Sequence, residues 1–366
     1  MLRNTWLITR IPALFYQPIE NNYDTTATIV TPVYNEDPVL FRLAIESWIA
    51  NAPERIIAYP EVEVIPIDIP GKRAALAAGV EATNTNLVAL VDSDVIWEPD
   101  VLRKVKMPFA DHNIGGVGTR QHMYPTGGRA AALWERIADI YLDIRYTDEI
   151  PATTRWGRAS SCLSGRTAVY RTKLLQALRE RFLNETFMGT QCMSGDDKRY
   201  TCLVLQSGYS TYVQLNAHIH STFKPDFSGF IKQHVRWSRN SLRSDLRALY
   251  EGWVWWSHPY LAIVLFMRSI APFVHLANIV VLTLGIAQGR WKMVATMLFW
   301  RHVKTAVKIL PHLWRVPRDW QILPLFVAVA FYMPLVKLYA LLTIREHKWL
   351  TRNVAVVDGK VQRVAS

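Results

Sequence analysis

Apolar runs alternate with segments of helical spacing along about the first 255 residues of the chain. Thr26–Val33 is rich in β-formers and predicts a buried strand. The polar turn after it leads into a segment with apolar residues such as Leu40 and Leu43 at helical spacing, and Asp37 and Pro38 fit its N-cap and first turn. A strand, a loop and a helix in this order begin a β-α-β unit, so we predict an α/β fold.

The same alternation continues through the rest of this region. Short apolar runs predict further strands at Arg55–Tyr59, Glu61–Ile67, Asn86–Val91, Ile114–Thr119, Ala159–Tyr170, Tyr209–Val213 and Ala217–Ser221. Helical spacing predicts helices from about Pro70 to Ala82 and over Trp97–Met107, Gly127–Arg145, Arg171–Leu183, Lys198–Ser207 and Asp226–Asn240. The last of these is amphipathic, which is typical of a helix that lies on a membrane with snorkelling cations.

Beyond Pro259 the chain carries long apolar segments with few charges. Pro259–Ala287 and Trp320–Thr343 exceed the roughly 20 residues that a spanning helix needs, whereas Lys292–Leu310 is shorter, carries three cations in its second half and is marginal. We expect two to four membrane crossings. The three cations, Arg301, Lys304 and Lys308, either line a path for an anionic polymer or hold an interfacial helix at the membrane surface.

The net charge of +12 and the pI of about 9.6 are compatible with nucleic acid, anionic lipid or an anionic substrate. The basic residues cluster at 232–247, 290–318 and 345–352, beside the apolar segments, and lack the interleaved aromatics of a nucleic-acid patch. This distribution is typical of the cytoplasmic flanks of membrane helices, and one cluster can also serve a phosphate site. We therefore expect no nucleic acid as a partner.

The cysteines and the N-terminus give weaker information. Cys162, Cys192 and Cys202 form no Cys-x-x-Cys pair, so we expect reduced thiols and no zinc site. The apolar patch Leu7–Tyr16 is interrupted by Arg10 and is not expected to be a signal peptide. It either lies in the membrane interface or packs on the domain.

Two pairs of carboxylates stand where chemistry is expected. Asp92 and Asp94 follow directly on the predicted strand Asn86–Val91, and an open α/β sheet binds ligands at the carboxyl ends of its strands. Such a pair can hold Mg²⁺ or Mn²⁺ against a diphosphate, although a solvated turn has the same pattern. Asp196 and Asp197 repel each other, which suits a general base, but they also suit an N-cap and first turn.

A series of short motifs, each occurring once, is distributed along nearly the whole chain. They are Thr31–Asp37 (TPVYNED), Gly71–Arg73 (GKR), Val91–Asp94 (VDSD), Asp143–Tyr146 (DIRY), Leu163–Gly165 (LSG), Val169–Arg171 (VYR), Gly195–Lys198 (GDDK), Gln233–Trp237 (QHVRW), Leu338–Arg345 (LYALLTIR) and Trp349–Arg352 (WLTR). Each is weak alone. Together they resemble the membrane-integrated family 2 glycosyltransferases, specifically those like hyaluronan synthase, with chitin and cellulose synthases as more distant relatives.

The resemblance implies a GT-A (Rossmann-like) glycosyltransferase domain that is followed by interfacial and transmembrane helices. It also implies an inverting, single-displacement transfer from a UDP-sugar. By position in the motifs, Asp94 with Asp92 would bind Mg²⁺ or Mn²⁺ and the diphosphate, and Asp197 would be the base with Asp196 in a supporting or capping role. The positions that would contact the nucleoside are Tyr34, Glu36 and Lys72.

On the acceptor side, the resemblance implies that Gln233, Arg236 and Trp237 stabilise the pyrophosphate and floor the acceptor site. Ser164 and Gly165 would lie beside the acceptor. Trp349 and Arg352 resemble the C-terminal Trp-Gly-Thr-Arg gate of the family, which closes over the nucleotide.

The chain departs from the family pattern in four places. Tyr59–Glu61 stands where Asp-Asp-Gly-Ser is usual, so that Glu61 or Asp68 would have to substitute for the uracil-side carboxylate. Arg166 replaces a proline beside the acceptor, and Leu350 replaces the gate glycine. We also expect no counterpart of the two N-terminal transmembrane helices of hyaluronan synthase.

The sequence therefore predicts a membrane-bound, inverting β-glycosyltransferase that uses UDP-sugars to build, and in one version to extrude, a polysaccharide. The alternatives are single-sugar transfer to a lipid-linked or short acceptor and, more remotely, a non-catalytic membrane partner. We expect a multi-pass protein of the plasma or inner membrane with its catalytic domain in the cytoplasm. The expected divisions are an interfacial segment at 1–25, the GT-A domain at 26–225, interfacial helices at 226–257, the transmembrane region at 258–345 and the gate segment and tail at 346–366.

Overall fold

The computed structural model describes residues 6–33, 36–57, 71–125 and 130–346, and the backbone of residues 354–357 and 360–363. Its strands are β1 Ala27–Val30, β2 Arg55–Ile57, β3 Leu87–Val91, β4 Val95–Trp97, β5 Ile114–Met123, β6 Thr167–Arg171, β7 Thr186–Phe187, β8 Thr190–Gln191, β9 Ser210–Ser221, β10 Val354–Val357 and β11 Lys360–Arg363.

The helices carry the labels α1 Leu7–Ala13, α2 Pro38–Ile49, α3 Lys72–Glu81, α4 Val101–Lys106, α5 Leu133–Thr147, α6 Glu149–Gly157, α7 Thr172–Ala177, α8 Arg179–Leu183, α9 Asp196–Gln206, α10 Phe227–Glu251, α11 Trp253–Ser257, α12 Pro259–Ala287, α13 Trp291–Arg315 and α14 Leu323–Leu342. Short 3₁₀ helices lie at Met107–Ala110 and Pro317–Ile322.

A seven-stranded mixed sheet forms the centre of the domain, in the order β2-β1-β3-β6-β5-β9-β4. β1 is parallel to β2 and β3, β6 is antiparallel to β3 and β5, and β9 is parallel to β5 and antiparallel to β4. Successive side chains of β1 and β3 enter different apolar clusters: Ile29 and Ala89 enter one, and Val30 and Leu90 the other. Because neighbouring side chains of a strand point to opposite faces, the sheet is buried on both faces.

The second of these clusters extends beyond the central sheet. It contains Ile137 of α5 and Phe230 of α10, and it continues into Leu313 of α13 and Phe326 of α14. The apolar C-terminal helices therefore share a core with the domain that precedes them.

Most predicted elements are present, and the cap of α2 is confirmed: the Asp37 carboxylate accepts from the amides of Val39 and Leu40 at 2.9 and 3.0 Å. The predicted helix Trp97–Met107 is wrong at its start. Val95–Trp97 is a strand at the edge of the sheet. The helix α4 begins only after Asp100, whose φ of +67° is left-handed and interrupts the helical conformation. Three residues are too few for a period-2 pattern to show in the sequence.

Other boundaries also differ. The two predicted late strands form the single strand β9, whose pairing shifts register opposite Thr119 and Arg120 and so hides the alternation. The predicted helix Arg171–Leu183 is broken at Leu178 into α7 and α8, and α10 runs on to Glu251. The predicted strand Glu61–Ile67 and the start of the helix predicted from Gly127 lie outside the described residues.

The predicted strand Ala159–Tyr170 is regular only from Thr167 onward. In the preceding segment, two backbone amides donate to threonine side chains and not to a neighbouring strand. The Ser160 amide donates to the hydroxyl of Thr211 at 2.7 Å, and the Leu163 amide donates to that of Thr201 at 2.9 Å. These contacts involve residues distant in sequence, which local patterns do not reveal.

At the N-terminus, α1 packs on the domain. The Arg10 guanidinium lies 2.6 Å from Asp148, and the Tyr260 hydroxyl donates to the Ile8 carbonyl at 2.6 Å. Leu14 and Phe15 nevertheless remain 74% and 60% exposed. The segment thus packs through one face, and its contact with a membrane stays a prediction. The three cysteines are free, as expected.

Two segments of the described chain are long and apolar enough to cross a membrane, Pro259–Ala287 and Pro317–Leu342. Both ends of the second segment contact earlier helices of the chain. Asp319 lies 2.6 Å from the guanidinium of Arg136 in α5, and Thr343, just after α14, accepts from the Arg239 guanidinium of α10 at 2.7 Å. The two ends of this segment are therefore held against α5 and α10.

Candidate active site

Three elements meet at the carboxyl edge of the sheet. Asp92 follows the last residue of β3, Asp196 opens α9, and Lys72 opens α3. The Lys72 ammonium lies 2.7 Å from Asp92 Oδ1 and 3.0 Å from Asp196 Oδ2. Gly195 adopts a φ of +83°, a left-handed conformation that favours glycine and turns the chain into α9. The structure thus brings together two acidic motifs that stand about a hundred residues apart.

The charges of this edge act strongly on one another. Burial and the charges of Asp94 and Asp196 raise the pKa of Asp92, against the opposing effect of Lys72. Burial by itself would also raise the pKa of Asp196, but Lys72 and Arg73 hold it below its ordinary value. The pKa of Lys72 is raised, since the two carboxylates outweigh its burial. The site is therefore a cavity in which one cation is shared by two acids.

Asp197 lies beside the segment predicted to contact an acceptor. Its Oδ2 accepts from the Gly165 amide at 3.4 Å and lies 3.5 Å from the Cys162 thiol. Its other oxygen accepts from the Lys198 amide at 2.8 Å. A cavity is lined by Lys72, Asp92, Gly165, Tyr170, Asp196 and Asp197, among others. Asp197 is thus placed at the cavity by hydrogen bonds from the backbone.

Helix α10 brings a third motif to the same place. Burial lowers the pKa of Arg236, while the charges of Asp196, Asp197 and Asp92 raise it, so the guanidinium lies within the electrostatic reach of the acidic edge. Gln233 is 8% exposed, and its Oε1 accepts no hydrogen bond from the described residues. A buried acceptor of this kind is costly unless a ligand or water satisfies it.

Trp237 and Arg166 form the aromatic and cationic side of the site. The Arg166 guanidinium lies 4.5 Å from the ring centre of Phe223 and 5.4 Å from that of Trp237, and it donates to Gln121 at 3.0 Å. Burial lowers the pKa of Arg166, and the charges of Asp94 and Asp92 oppose this. The sequence identified Arg166 only as a departure from the family pattern; the structure places it within the electrostatic reach of both acids.

Some residues of the site have no sequence signal. Thr222 donates its hydroxyl to Asp94 Oδ2 at 2.7 Å, and the Cys162 thiol contacts Asp197. Neither belongs to a motif that predicts this role. Glu36 is half-buried in the turn before α2. Tyr34, Glu61, Asp68, Trp349 and Arg352 lie outside the described residues, so their roles stay predictions.

A divalent cation fits the donor set of Asp92 and Asp94. Each uses one carboxylate oxygen in a contact, with Lys72 and with Thr222, and the second oxygen of each accepts no hydrogen bond within the described residues. Hard carboxylate oxygens are the ligands that Mg²⁺ and Mn²⁺ prefer. Burial first, and then the charges of Asp94 and Asp196, raise the pKa of Asp92, and a bound cation would favour its ionised form.

A second cluster, Asp139, Asp143 and His312, also brings its ligand atoms within 4.8 Å of one another. Here the carboxylates are already engaged by a protein cation, because the Arg315 guanidinium lies 2.6 Å from both acids. His312 bridges Asp143 and Asp319 at 2.8 and 2.7 Å. This cluster is a salt-bridge network that joins α5 to α13, and the edge of the sheet suits a metal better.

A buried ion pair supports the loop before Asp196. Arg73 lies 2.6 Å from Glu185 and donates to the Ser194 carbonyl at 3.0 Å, and Arg247 also contacts Glu185. Burial on its own would raise the pKa of Glu185, but Arg73, Arg199 and Arg247 lower it below its ordinary value.

This depressed pKa predicts an acid-sensitive contribution to stability. The contribution is present above the unfolded value of about 4.3 and is lost as the pH falls through the lower folded value. We expect Glu185→Gln to lower the thermal unfolding midpoint near pH 7, and the gap to wild type to close as the pH falls below about 4. Midpoints measured in detergent between pH 7 and 3 test this. A constant gap over the whole range would contradict it.

Comparisons with known proteins agree with this geometry. A model of the family described as "Glycosyltransferase like family 2" matches residues 47–240. A type 2 glycosyltransferase of Pyricularia oryzae is 26% identical over 362 residues, which cover 90% of this chain and 75% of that protein. An N-acetylglucosaminyltransferase of Azorhizobium caulinodans is 27% identical over 298 residues, with 77% of this chain and 70% of that protein covered.

A solved structure with a similar fold is the mannosyltransferase PcManGT from Pyrobaculum calidifontis in complex with GDP-Man and Mn²⁺. The TM-score is 0.58 at 16% sequence identity, and the match covers 94% of this chain and 99% of that one. The predicted mixed α/β fold of the GT-A type, followed by C-terminal helices, is confirmed.

Proposed function

Because the chain belongs to the glycosyltransferase like family 2 and is a glycosyltransferase, we propose that it is a membrane-bound, inverting β-glycosyltransferase that builds a polysaccharide from UDP-sugars. The observation that carries the proposal is the convergence of Lys72, Asp92, Asp196 and Arg236 beside Asp197. Cations and carboxylates in one cavity suit a diphosphate leaving group next to a general base. We also propose, from the resemblance of the sequence motifs, that the protein acts like a hyaluronan synthase.

In the proposed reaction, the acceptor hydroxyl attacks the anomeric carbon from the side opposite the nucleotide, which inverts the configuration. Asp197 takes the hydroxyl proton, while Gly165 holds the carboxylate in place. The diphosphate leaves with the electron pair of the broken bond, next to the Arg236 guanidinium. Gln233 offers its buried oxygen to the bound ligand, and Trp237 supplies an apolar surface against a sugar ring.

We assign Mg²⁺ or Mn²⁺ to Asp92 and Asp94. The cation would neutralise charge on the diphosphate and so improve it as a leaving group. The Mn²⁺ in the complex of PcManGT supports this choice. Lys72 remains the protein cation that faces the same carboxylates.

Loss of a metal ligand gives a direct test. We expect Asp94→Asn to weaken the Mn²⁺ dependence of UDP release, raising the Mn²⁺ concentration at half-maximal rate by about 10–100-fold. Thr222→Val removes only the hydrogen bond to Asp94 and should have a smaller effect. The exposed Asp100 supplies a control, Asp100→Asn, with no change. An unchanged Mn²⁺ dependence in Asp94→Asn would place the cation elsewhere.

The identity of the sugar nucleotide donor can be tested directly. The N-acetylglucosaminyltransferase from Azorhizobium caulinodans favours a UDP-linked N-acetylhexosamine as the first donor to try. We propose measuring nucleotide release by the purified protein with a panel of UDP-sugars and with GDP-mannose, each with Mn²⁺. The proposal expects release from at least one UDP-sugar. Release from GDP-mannose alone would refute the UDP assignment, and no release from any donor would refute the activity in this form.

Single-sugar transfer to a lipid-linked or short acceptor is the second candidate. The two candidate spans among the described residues favour it, since few helices are then available to line a polymer channel. Product length on a gel separates the two: a ladder supports the polymerase, and a single added sugar supports the alternative. Under either candidate we propose that the catalytic domain faces the cytoplasm and that the apolar helices anchor it in the membrane.

A further inference from the structure

A buried guanidinium of α10 connects two segments that lie far apart in the chain. Arg243 is 5% exposed. Its Nη2 donates to the Ser194 hydroxyl at 3.3 Å and also donates to the side-chain oxygen of Asn240. Its Nη1 donates to the carbonyls of Ile344 and Glu346 at 3.3 and 3.4 Å. One planar group thus joins the loop before α9 to the chain that follows α14.

The loop on one side of this bridge leads directly into the acidic pair. Ser194 is buried two residues before Asp196, and its hydroxyl donates to Asn240 Oδ1 at 2.8 Å. Its carbonyl accepts from Arg73 at 3.0 Å. A Cβ atom on Gly195 would lie 3.1 Å from the Asn240 side chain, so the loop and α10 are in close contact. The start of α9 is therefore held by α10 on one side and by α3 on the other.

The segment on the other side of the bridge is held by a second arginine of α10. Arg239 is 2% exposed, donates to the Thr343 hydroxyl at 2.7 Å and lies 2.8 Å from the Glu346 carboxylate. Residues four positions apart lie on the same face of a helix, so Arg239 and Arg243 form one binding surface for this segment. Within the described residues, only Arg243 of the two also contacts Ser194.

The planar shape of the group matters for this bridge. A guanidinium spreads its donors over a rigid fork, whereas the ammonium of lysine carries all its donors on one atom. The two terminal nitrogens of Arg243 serve two different segments, which a single nitrogen could not do from the same place. Because the group is buried, water does not replace a contact that is broken. The bridge therefore fixes the loop and the segment after α14 relative to each other.

The acids that follow the loop depend on close contacts. Asp196 lies 3.0 Å from the Lys72 ammonium, and Asp197 accepts from the Gly165 amide at 3.4 Å. A displacement of the start of α9 by about 1 Å breaks both contacts. Misplacement of a reacting group by this distance can lower a rate by about 10²-fold.

We propose that Arg243 is a positioning residue of the transfer reaction. It holds the start of α9 against the segment Thr343–Glu346, and it thereby keeps Asp196 at Lys72 and Asp197 beside the acceptor-side segment. Arg243 acts through Ser194 and touches no reacting atom itself. This proposal rests on the proposed transferase function, and it makes the geometry of the acids depend on the chain that follows α14.

The test measures two quantities on the full chain in detergent: the Kd for UDP, and kcat for transfer per UDP-binding site. Counting sites by bound UDP removes the effect of unfolded protein. We expect Arg243→Gln to raise the Kd by at least about threefold, because Asp196 moves away from Lys72. We expect it to lower kcat by about 10–100-fold, because Asp197 is misplaced. Arg243→Lys keeps the charge without the fork and should behave like Arg243→Gln.

Two further variants separate this role from a general loss of packing. Arg239→Gln is the matched control, because it removes another buried guanidinium from the same segment and should keep both values within about twofold. Ser194→Ala removes the atom through which Arg243 holds the loop. The double variant Ser194→Ala/Arg243→Gln should be at most about threefold slower than the slower single variant, whereas independent effects on kcat would multiply.

Three results would overturn the proposal: wild-type values in Arg243→Gln, multiplied losses in the double variant, or an equal loss in Arg239→Gln. Wild-type values in Arg243→Lys would overturn the bridging role, because charge alone would then suffice. The Kd for UDP requires no transfer. If the wild-type protein transfers no sugar, the proposed function fails, and the Kd values of Arg243→Gln and Arg239→Gln still decide whether Arg243 positions the loop.

Discussion

Asp197→Asn is expected to lower the rate of sugar transfer by about 10²–10⁴-fold, the usual contribution of a general base. The carboxylate stands beside the acceptor-side segment and is held by the Gly165 amide. Asparagine keeps the shape, and its amide oxygen can still accept from this amide, but it cannot take a proton from a hydroxyl at neutral pH. Transfer to the acceptor, measured with saturating donor and Mn²⁺, tests this.

Nucleotide affinity is the internal control for this variant. Asp197 forms no ion pair with Lys72, which pairs instead with Asp92 and Asp196. The Kd for UDP should therefore stay within about threefold of wild type, while Asp196→Asn, which breaks the Lys72 pair, should weaken it. Equal transfer rates for Asp197→Asn and wild type would remove Asp197 from the mechanism and make Asp196 the next residue to test.

The strands and the chemistry at their ends could be predicted from the sequence because both are local. A continuous apolar run such as Leu87–Val91 forms a buried strand, and the acids after it fall on the carboxyl edge of the sheet. The motif order then predicted a family 2 glycosyltransferase with a GT-A fold, and the comparisons confirm this family and this fold. The order of the motifs did not predict that Lys72 contacts both Asp92 and Asp196.

The features that the sequence did not predict depend on contacts between distant segments of the chain. Thr222 and Cys162 reach Asp94 and Asp197 only because β9 and the loop before β6 lie at the same edge. Hydropathy identified the apolar C-terminal segments correctly, but it does not reveal that the two ends of Pro317–Leu342 contact α5 and α10. Hydropathy depends only on the composition of a segment, so it carries no information about the contacts of the polar residues that flank it.

The same distant contacts create a buried charge network on which stability should depend. Asp245 of α10 is 3% exposed and lies 2.8 Å from Lys198 and 2.6 Å from Arg268. Arg268 extends the network to Glu149 at 2.7 Å. The network thus connects α9, which carries Asp197, to the first apolar helix.

We expect Asp245→Ala to destabilise the protein by about 3–5 kcal/mol, because it leaves two buried cations without their shared acid. Asp111→Ala is the matched control: Asp111 pairs with Arg158 at the same 2.6 Å, but both side chains are well exposed. Such a surface pair contributes about 0–1 kcal/mol. Denaturant unfolding in detergent, followed by tryptophan fluorescence, measures both variants.

The double variant Asp245→Leu/Lys198→Met separates the loss of an ion pair from the loss of packing. Replacing two buried partners by apolar residues of similar size is often close to neutral, whereas removing one partner is not. The double variant should therefore recover part of the stability lost in Asp245→Ala, although Arg268 still lacks one of its two acids. If Asp245→Ala and Asp111→Ala shift the unfolding midpoint equally, the network contributes no more than a surface pair. The position of α9 against the apolar helix must then come from the packing of α10 and α12 alone.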